Sequence, residues 1–367
     1  MRMVFLSCIV LFYQLFTFGL AKGIFWFSKP YFSISKTILF ITIFIISNLF
    51  LAGLFFGKFR LTMSWLAILW FVMMTFGLTF LTNLASQRLQ LSPNYPHAIR
   101  TVSVLIFISL IAMSIYNAYT PTVRYLNLKI DKPINKPIKL AMVSDLHLGQ
   151  LFGSKQLYQL AHILNQERVD MLLMPGDIMD DDTHIYDEKH MKPAFEAVVK
   201  SANHQVYASL GNHDLYNNQQ RFAIASAIKE TGTVLLDDKT ASTTINGTPI
   251  TIIGRFDDHA TNRKNTQELL LGVDTDNLVI LLDHRPSQID QNAKLPIDLQ
   301  VSGHTHNGQI FPANFIVKAL NTIAYGYGKV GNMHTIVSSG YGFWGVPFRL
   351  GSQSEVWELH LPIKHDY

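Results

Sequence analysis

Apolar residues fall into two textures along this chain. Over residues 1–120 they form four long runs, at about 4–20, 37–56, 62–81 and 102–117. A helix needs roughly 20 mostly apolar residues to cross a bilayer, which the second and third runs supply. The fourth is shorter and holds Ser103, Ser109 and Ser114, hydroxyls that a membrane helix satisfies on its own backbone. The first follows Arg2, as a cleavable signal would, but the chain stays apolar through Ile24 and Phe27, so it is read as a span. The pattern predicts a membrane domain of about four transmembrane helices over 1–120, an all-α bundle.

Beyond it the runs shorten. Pro121, Pro133 and Pro137 break the helical pattern, and 121–138 reads as a linker with an extended lead-in strand. From 139 to 367 short β-rich runs alternate with helical stretches: a strand at 139–144, a helix over Ser154–Glu167, a strand at Met171–Pro175, a helix at 191–201 and a strand at 205–210. After Leu235 strands dominate, at 242–245, 249–254, Leu278–Leu282, Leu299–Ser302, 335–338 and Glu355–Leu361. A βα-rich first half and a β-rich second half predict an α/β (α+β) domain of two packed sheets with helices outside.

Charge follows the same division. The chain is 49% hydrophobic and 15% charged, below the roughly 25% of soluble domains. No Asp or Glu precedes Asp131, whereas eight Lys or Arg lie in 1–121. A soluble bundle needs charged outer faces, so the missing acids favour the membrane. Of 30 basic residues, 22 remain for the rest of the chain against all 26 acidic ones. That half is mildly acidic and has no basic stripe, so nucleic acid is not an expected partner. Positive charge is nearly balanced between alternate loops and does not select which side of the membrane the domain faces. Cys8 is the one cysteine; no disulfide forms within a single chain.

Metal-ligand residue types stand at strand ends. The strand at 139–144 is followed by Asp145 and His147, Met171–Pro175 by Gly176-Asp177, and 205–210 by Gly211-Asn212-His213-Asp214. Leu278–Leu282 is followed by Asp283-His284, and Leu299–Ser302 by Gly303-His304-Thr305-His306. Ligands of α/β sheets bind beyond the carboxyl ends of strands, so five loops are expected to converge. Carboxylate, imidazole and amide donors without thiolate suit two divalent ions of manganese, iron or zinc. Two such ions can share a hydroxide and clamp a phosphate for in-line displacement.

The motifs Asp145-Leu146-His147, Gly176-Asp177, Gly211-Asn212-His213-Asp214 and Gly303-His304-Thr305-His306, with a lone His284, resemble those of calcineurin-like metallophosphoesterases. The resemblance covers 140–361 and is nearest the membrane-anchored bacterial branch and transmembrane proteins bearing such a domain. There the histidine pair is usually followed by Gly-Gly-Gln-Ile; here it is Asn307-Gly308-Gln309-Ile310. The resemblance implies a four-layer α-β-β-α sandwich. It implies that Asp145, His147 and His306 hold one metal, that Asn212, His284 and His304 hold the other, and that Asp177 bridges them. It gives His213 the phosphate or the leaving oxygen, with Asp214 orienting its ring.

The expected activity is hydrolysis of a phosphoester, mono- or diester, with a lipid-linked or nucleotide-sugar substrate suggested by the anchor. A membrane sensor or scaffold with a structural metal site is the alternative, and a nuclease shares the metal chemistry. His259 rivals His284 as a ligand. Arg255, Arg285 and Arg349 offer guanidinium groups suited to phosphate, though an ion pair is the ordinary fate of each. The segment 339–351, with Tyr341, Phe343 and Trp344, forms either an apolar lip or a loop packed on the sheet.

Overall fold

The computed structural model describes residues 2–90 and 95–363. Its chain divides into two compact units, Met1–Ile115 and Tyr116–Tyr367.

The first unit holds helices α1 (Arg2–Ser28), α2 (Lys36–Ala52), α3 (Phe59–Arg88) and most of α4 (Tyr95–Tyr119). All four are long and apolar enough to cross a membrane. Some of their polar groups pair between or within helices. Gln14 Nε2 donates to Asn48 Oδ1 at 2.9 Å, joining α1 to α2, and Ser103 Oγ donates to the Ile99 carbonyl one turn back. α1 runs past Leu20 to Ser28, as the apolar character through Phe27 predicted.

The second unit contains two six-stranded sheets. The first is ordered β1 (Thr122–Asn127), β12 (Glu355–Leu361), β2 (Ile138–Met142), β3 (Met171–Pro175), β4 (Val206–Ser209) and β5 (Val234–Leu235). The second is ordered β10 (Gly326–Val330), β11 (Met333–Val337), β9 (Leu299–Ser302), β8 (Leu278–Leu282), β7 (Thr248–Gly254) and β6 (Lys239–Ile245). β2 to β5 run parallel, as do β7, β8, β9 and β11. The stretch 121–138 is no free linker. It supplies β1, parallel to β12 at a sheet edge, and then buries Leu128, Ile130 and Ile134 between the sheets.

Strand alternation builds the layers. Leu140, Met142, Met171 and Leu173 point one way and meet Ile250, Ile252, Leu278, Ile280, Leu282, Leu299 and Val301 of the other sheet. Ala141, Val143, Leu172 and Met174 point the other way, onto the helix Ser154–Glu167 and the helix Lys192–Ser201. The first helix presents Leu157, Leu160, Ala161 and Leu164 at helical spacing. On the far side Ile253, Val279 and Leu281 pack under Leu269 and Ile289. Three apolar interfaces therefore separate four layers, α-β-β-α. Because β2 to β5 run parallel, and β7, β8, β9 and β11 do too, the loops at their carboxyl ends emerge together at one end of each sheet.

Candidate metal centre

Each chemically interesting side chain stands within five residues of a buried strand end. Asp145 and His147 follow β2, Asp177 follows β3, Asn212 opens a helical turn after β4, His284 follows β8, and His304 and His306 follow β9. The loops after β2 and β3 are zipped together: Asp145 N donates to Gly176 O at 3.1 Å and His147 N to Asp177 O at 3.0 Å. The loops after β8 and β9 are joined by Gly303 N to His284 O at 2.9 Å. Asp145 ties the two sheets, because its carboxylate accepts from His304 N at 3.0 Å.

Two groups result. Asp145, His147 and His306 offer ligand atoms within 4.8 Å of one another, and so do Asp177, His284 and His304. Asp177 Oδ2 stands between the groups, 3.8 Å from His147 Nε2 and 3.1 Å from His284 Nε2. His147 and His306 turn their Nε2 atoms toward each other at 3.1 Å. Five of these residues hold left-handed backbone, with φ of 53° at Asp145, 47° at His147, 53° at Asp177, 68° at His304 and 48° at His306. Such conformations cost of order 1–3 kcal/mol each and cluster where function needs them.

The donor set fits divalent cations. His147 Nδ1, Asn212 Oδ1 and His284 Nε2 are buried without a hydrogen-bond partner; His284 Nε2 lies near Asp177 but out of hydrogen-bonding alignment. Unpaired buried polar atoms are costly, and a cation among them would remove that cost. Asn212 Nδ2 donates to Tyr216 Oη at 2.7 Å, which leaves its Oδ1 as the unpaired atom. His284 Nδ1 donates to the Pro175 carbonyl at 2.8 Å, presenting Nε2 to Asp177. Glycine is required where backbone crosses these carboxylates: a Cβ on Gly211 would sit 2.2 Å from Asp177 Oδ1, and one on Gly303 would sit 2.2 Å from Asp145 Oδ2.

Residues 138–308 match the calcineurin-like phosphoesterase family. This stretch is a calcineurin-like metallophosphoesterase domain. An uncharacterized metallophosphoesterase of Helicobacter pylori is 30% identical over 67% of this chain and 65% of its own length. A transmembrane protein with metallophosphoesterase domain from Bos taurus is 27% identical over 62% of this chain and 54% of its own. An uncharacterized metallophosphoesterase of Bacillus subtilis is 27% identical over 70% of this chain and 96% of its own. The chain thus spans about two thirds or less of the Helicobacter and Bos relatives.

The electrostatics of the metallophosphoesterase domain suit cation binding. Burial, opposed in part by Asp177, lowers the His147 pKa to about 3. Burial and the neighbouring His284 and Arg285 lower His304 to about 3. His306 is lowered well below its usual value by burial, His147 and Arg349. All three imidazoles are neutral, as a ligand must be. Burial opposes charge on Asp177, but His284, His147 and His213 outweigh it and hold the carboxyl far below its usual range. Burial likewise opposes charge on His284, yet Asp177 and Asp145 raise it to about 10.

One expected role is corrected. Asp214 does not orient the His213 ring. Its carboxylate accepts from the backbone amides of Ile178 at 3.2 Å, Met179 at 2.9 Å and Gly211 at 2.9 Å, bracing the loop after β3 against the loop after β4. Asn212, His213 and Asp214 share one helical turn, so neighbouring side chains leave it in different directions. The ring partner is Asp181, whose Oδ1 lies 2.6 Å from His213 Nδ1. Sequence reasoning missed this role of Asp181 and missed Tyr216. For Tyr216 a signal existed, since it stands four residues after Asn212 in a turn of helix; for Asp181 only the fold brings the pair together.

The remaining expectations sort by burial. His259 packs on Tyr216 with ring centroids 4.9 Å apart and belongs to neither ligand group. Arg255 pairs with Asp283 at 3.1 Å and Arg285 with Asp257 at 2.8 Å. Arg349 is fully buried, donating to the Gly340 carbonyl at 3.3 Å and to that of Gly342, with Nη2 3.3 Å from His306 Nδ1. In the segment 339–351, Tyr341 and Phe343 join the helix-side core. Trp344 is 42% exposed, its ring 6.2 Å from that of His213.

Proposed function

We propose that this chain is a metal-dependent phosphoester hydrolase anchored in a membrane. The observation that carries the reading is Asp177, whose Oδ2 faces both ligand groups at once. Asp145, His147 and His306 would hold one divalent ion, Asn212, His284 and His304 the other, with Asp177 shared. Such a pair, when bound, supplies Lewis acidity toward a phosphoryl oxygen and lowers the pKa of water.

The chain's own residues do the rest. The buried ligand shell excludes bulk water, which strengthens every charge interaction within it. Neutral His147, His304 and His306 keep lone pairs available. Burial lowers the His213 pKa, but its hydrogen bond to Asp181 and the charges of Asp177, Asp181 and Asp180 outweigh it, and the net shift is upward. Its ring, oriented by Asp181, is set to donate a hydrogen bond or proton to a leaving oxygen. The four apolar helices favour a substrate reached at a lipid surface, and a lipid-linked phosphoester is the class we expect.

The test is hydrolysis of bis-(p-nitrophenyl) phosphate by the purified full chain with Mn²⁺ and after chelation. Turnover that appears with metal supports the reading. Folded, metal-loaded protein inert with every phosphoester offered would replace it with a sensor or scaffold. Competition by single-stranded DNA would point to a nuclease.

A further inference from the structure

The segment leaving the His304-His306 loop forms the helix Ala313–Leu320, and none of its residues is buried. Phe315, Ile316 and Leu320 are 61%, 60% and 76% exposed. They share a broad face with Ala319, while Asn314 and Lys318 stand on the other. Phe311 precedes the helix, its ring 5.7 Å from that of Phe315. A water-facing helix in a folded domain normally buries its apolar stripe, so this one is built for another medium.

Two observations identify the medium. First, the chain has no Asp or Glu between Asp298 and Glu355, whereas Lys318 and Lys329 lie within that stretch. The same absence of acid marks the membrane-spanning part, and it suits an anionic lipid surface. Second, the helix is hung close to the chain's exit from its last candidate span. Phe311 N donates to Leu350 O at 2.6 Å. The adjacent Arg349 carbonyl accepts from Asn117 Nδ2 at 3.2 Å, and Gln353 Nε2 donates to Thr120 O at 3.2 Å. Asn117 lies in the last turn of the candidate span His97–Tyr119. One strap, 349–353, therefore holds both the root of the helix and the end of α4.

We infer that the helix Ala313–Leu320 lies in the interfacial layer of the chain's own membrane, with Phe315, Ile316 and Leu320 toward the acyl chains and Lys318 at the headgroups. This would keep the loop bearing His304 and His306 beside the lipid surface. The inference holds whether or not the site hydrolyses phosphoesters.

The experiment uses the full chain with Cys8→Ser, a single Ile316→Cys substitution and an environment-sensitive nitrobenzoxadiazole label. The labelled protein is reconstituted into vesicles of phosphatidylcholine with phosphatidylglycerol. Asp276→Cys, in the exposed turn before β8 at the opposite end of the sheet, serves as the control. The expected result is a blue-shifted emission at position 316 that doxyl-labelled lipids quench, with neither effect at position 276. Water-like emission at 316 in vesicles overturns the inference. A blue shift that lipid quenchers leave untouched overturns it as well, because the helix would then be covered by protein. Position 316 is exposed, so the label does not threaten the fold.

Discussion

His213 Nδ1 and Asp181 Oδ1 meet at 2.6 Å across 32 residues of chain. The carboxylate fixes the proton on Nδ1 and turns the ring, a task that the family resemblance had implied for Asp214. Since the net effect of burial and the surrounding carboxylates is to raise the His213 pKa, the ring stays protonated to higher pH than a free histidine.

That pairing sets a pH dependence. A protonated His213 that donates to the leaving oxygen loses function as pH rises through its pKa. Asp181→Asn removes a cause of the upward shift, so the alkaline fall of kcat is expected to move to lower pH. His213→Ala should lower kcat by about 10²–10⁴-fold, the usual worth of general acid catalysis. A pH–rate profile of Asp181→Asn that overlays the parent would dismiss the pairing as a functional one.

Asp214→Asn is expected to behave differently. The amide can accept fewer of the three backbone bonds that the carboxylate takes from Ile178, Met179 and Gly211. Losing a buried hydrogen bond to a charged group costs about 1.5–3 kcal/mol. Thermal denaturation should show a lowered Tm, while the alkaline limb of whatever activity remains stays where it was.

Metal uptake should release protons. Without a cation His284 is raised to about 10 by Asp177 and Asp145 against burial, so it is protonated at neutral pH and must lose that proton to ligate. Acidification therefore weakens metal binding. His147 and His304, at about 3, add nothing to the release near pH 7. Calorimetric titration of chelated protein with Mn²⁺ in buffers of different ionisation enthalpy measures it, and heats independent of buffer would contradict the assignment of His284.

Chelation should also cost stability. A cation at a hundred times its Kd stabilises the folded state by about 2.7 kcal/mol, which for a domain of this size moves Tm by roughly 5–10 °C. Differential scanning fluorimetry with and without a chelator reads the shift; superimposed melts would mean that the loops grip no ion.

Gly211→Ala places a Cβ 2.2 Å from Asp177 Oδ1. Crowding of this kind costs about 1–3 kcal/mol and displaces the shared carboxylate, so metal affinity should fall together with Tm. Gly77→Ala, where a Cβ meets nothing within 4 Å, is the control and should leave both unchanged.

Much of this protein was legible before any coordinates. Runs near the length of a bilayer-crossing helix, without an acidic residue, can be stable in few places other than a membrane. The buried strands Met171–Pro175, Leu278–Leu282 and Leu299–Ser302 announced themselves as short apolar runs stopped by polar ligand types, and parallel strands must discharge their loops at one end. That geometry brings Asp145, His147, Asp177, His284, His304 and His306 together, whatever the details of packing.

Direction and exposure were decided by the tertiary structure. Side chains in one helical turn point about 100° apart, which sends Asp214 back to the loop amides and leaves His213 to Asp181. Arg349 could by sequence have met phosphate or formed a surface ion pair; instead the core closes over it beneath His306. The exposed apolar face of the helix Ala313–Leu320 emerges only from the fold, which leaves it uncovered. Periodicity reports what a segment can bury; only the assembled layers determine what remains to be buried, and against what.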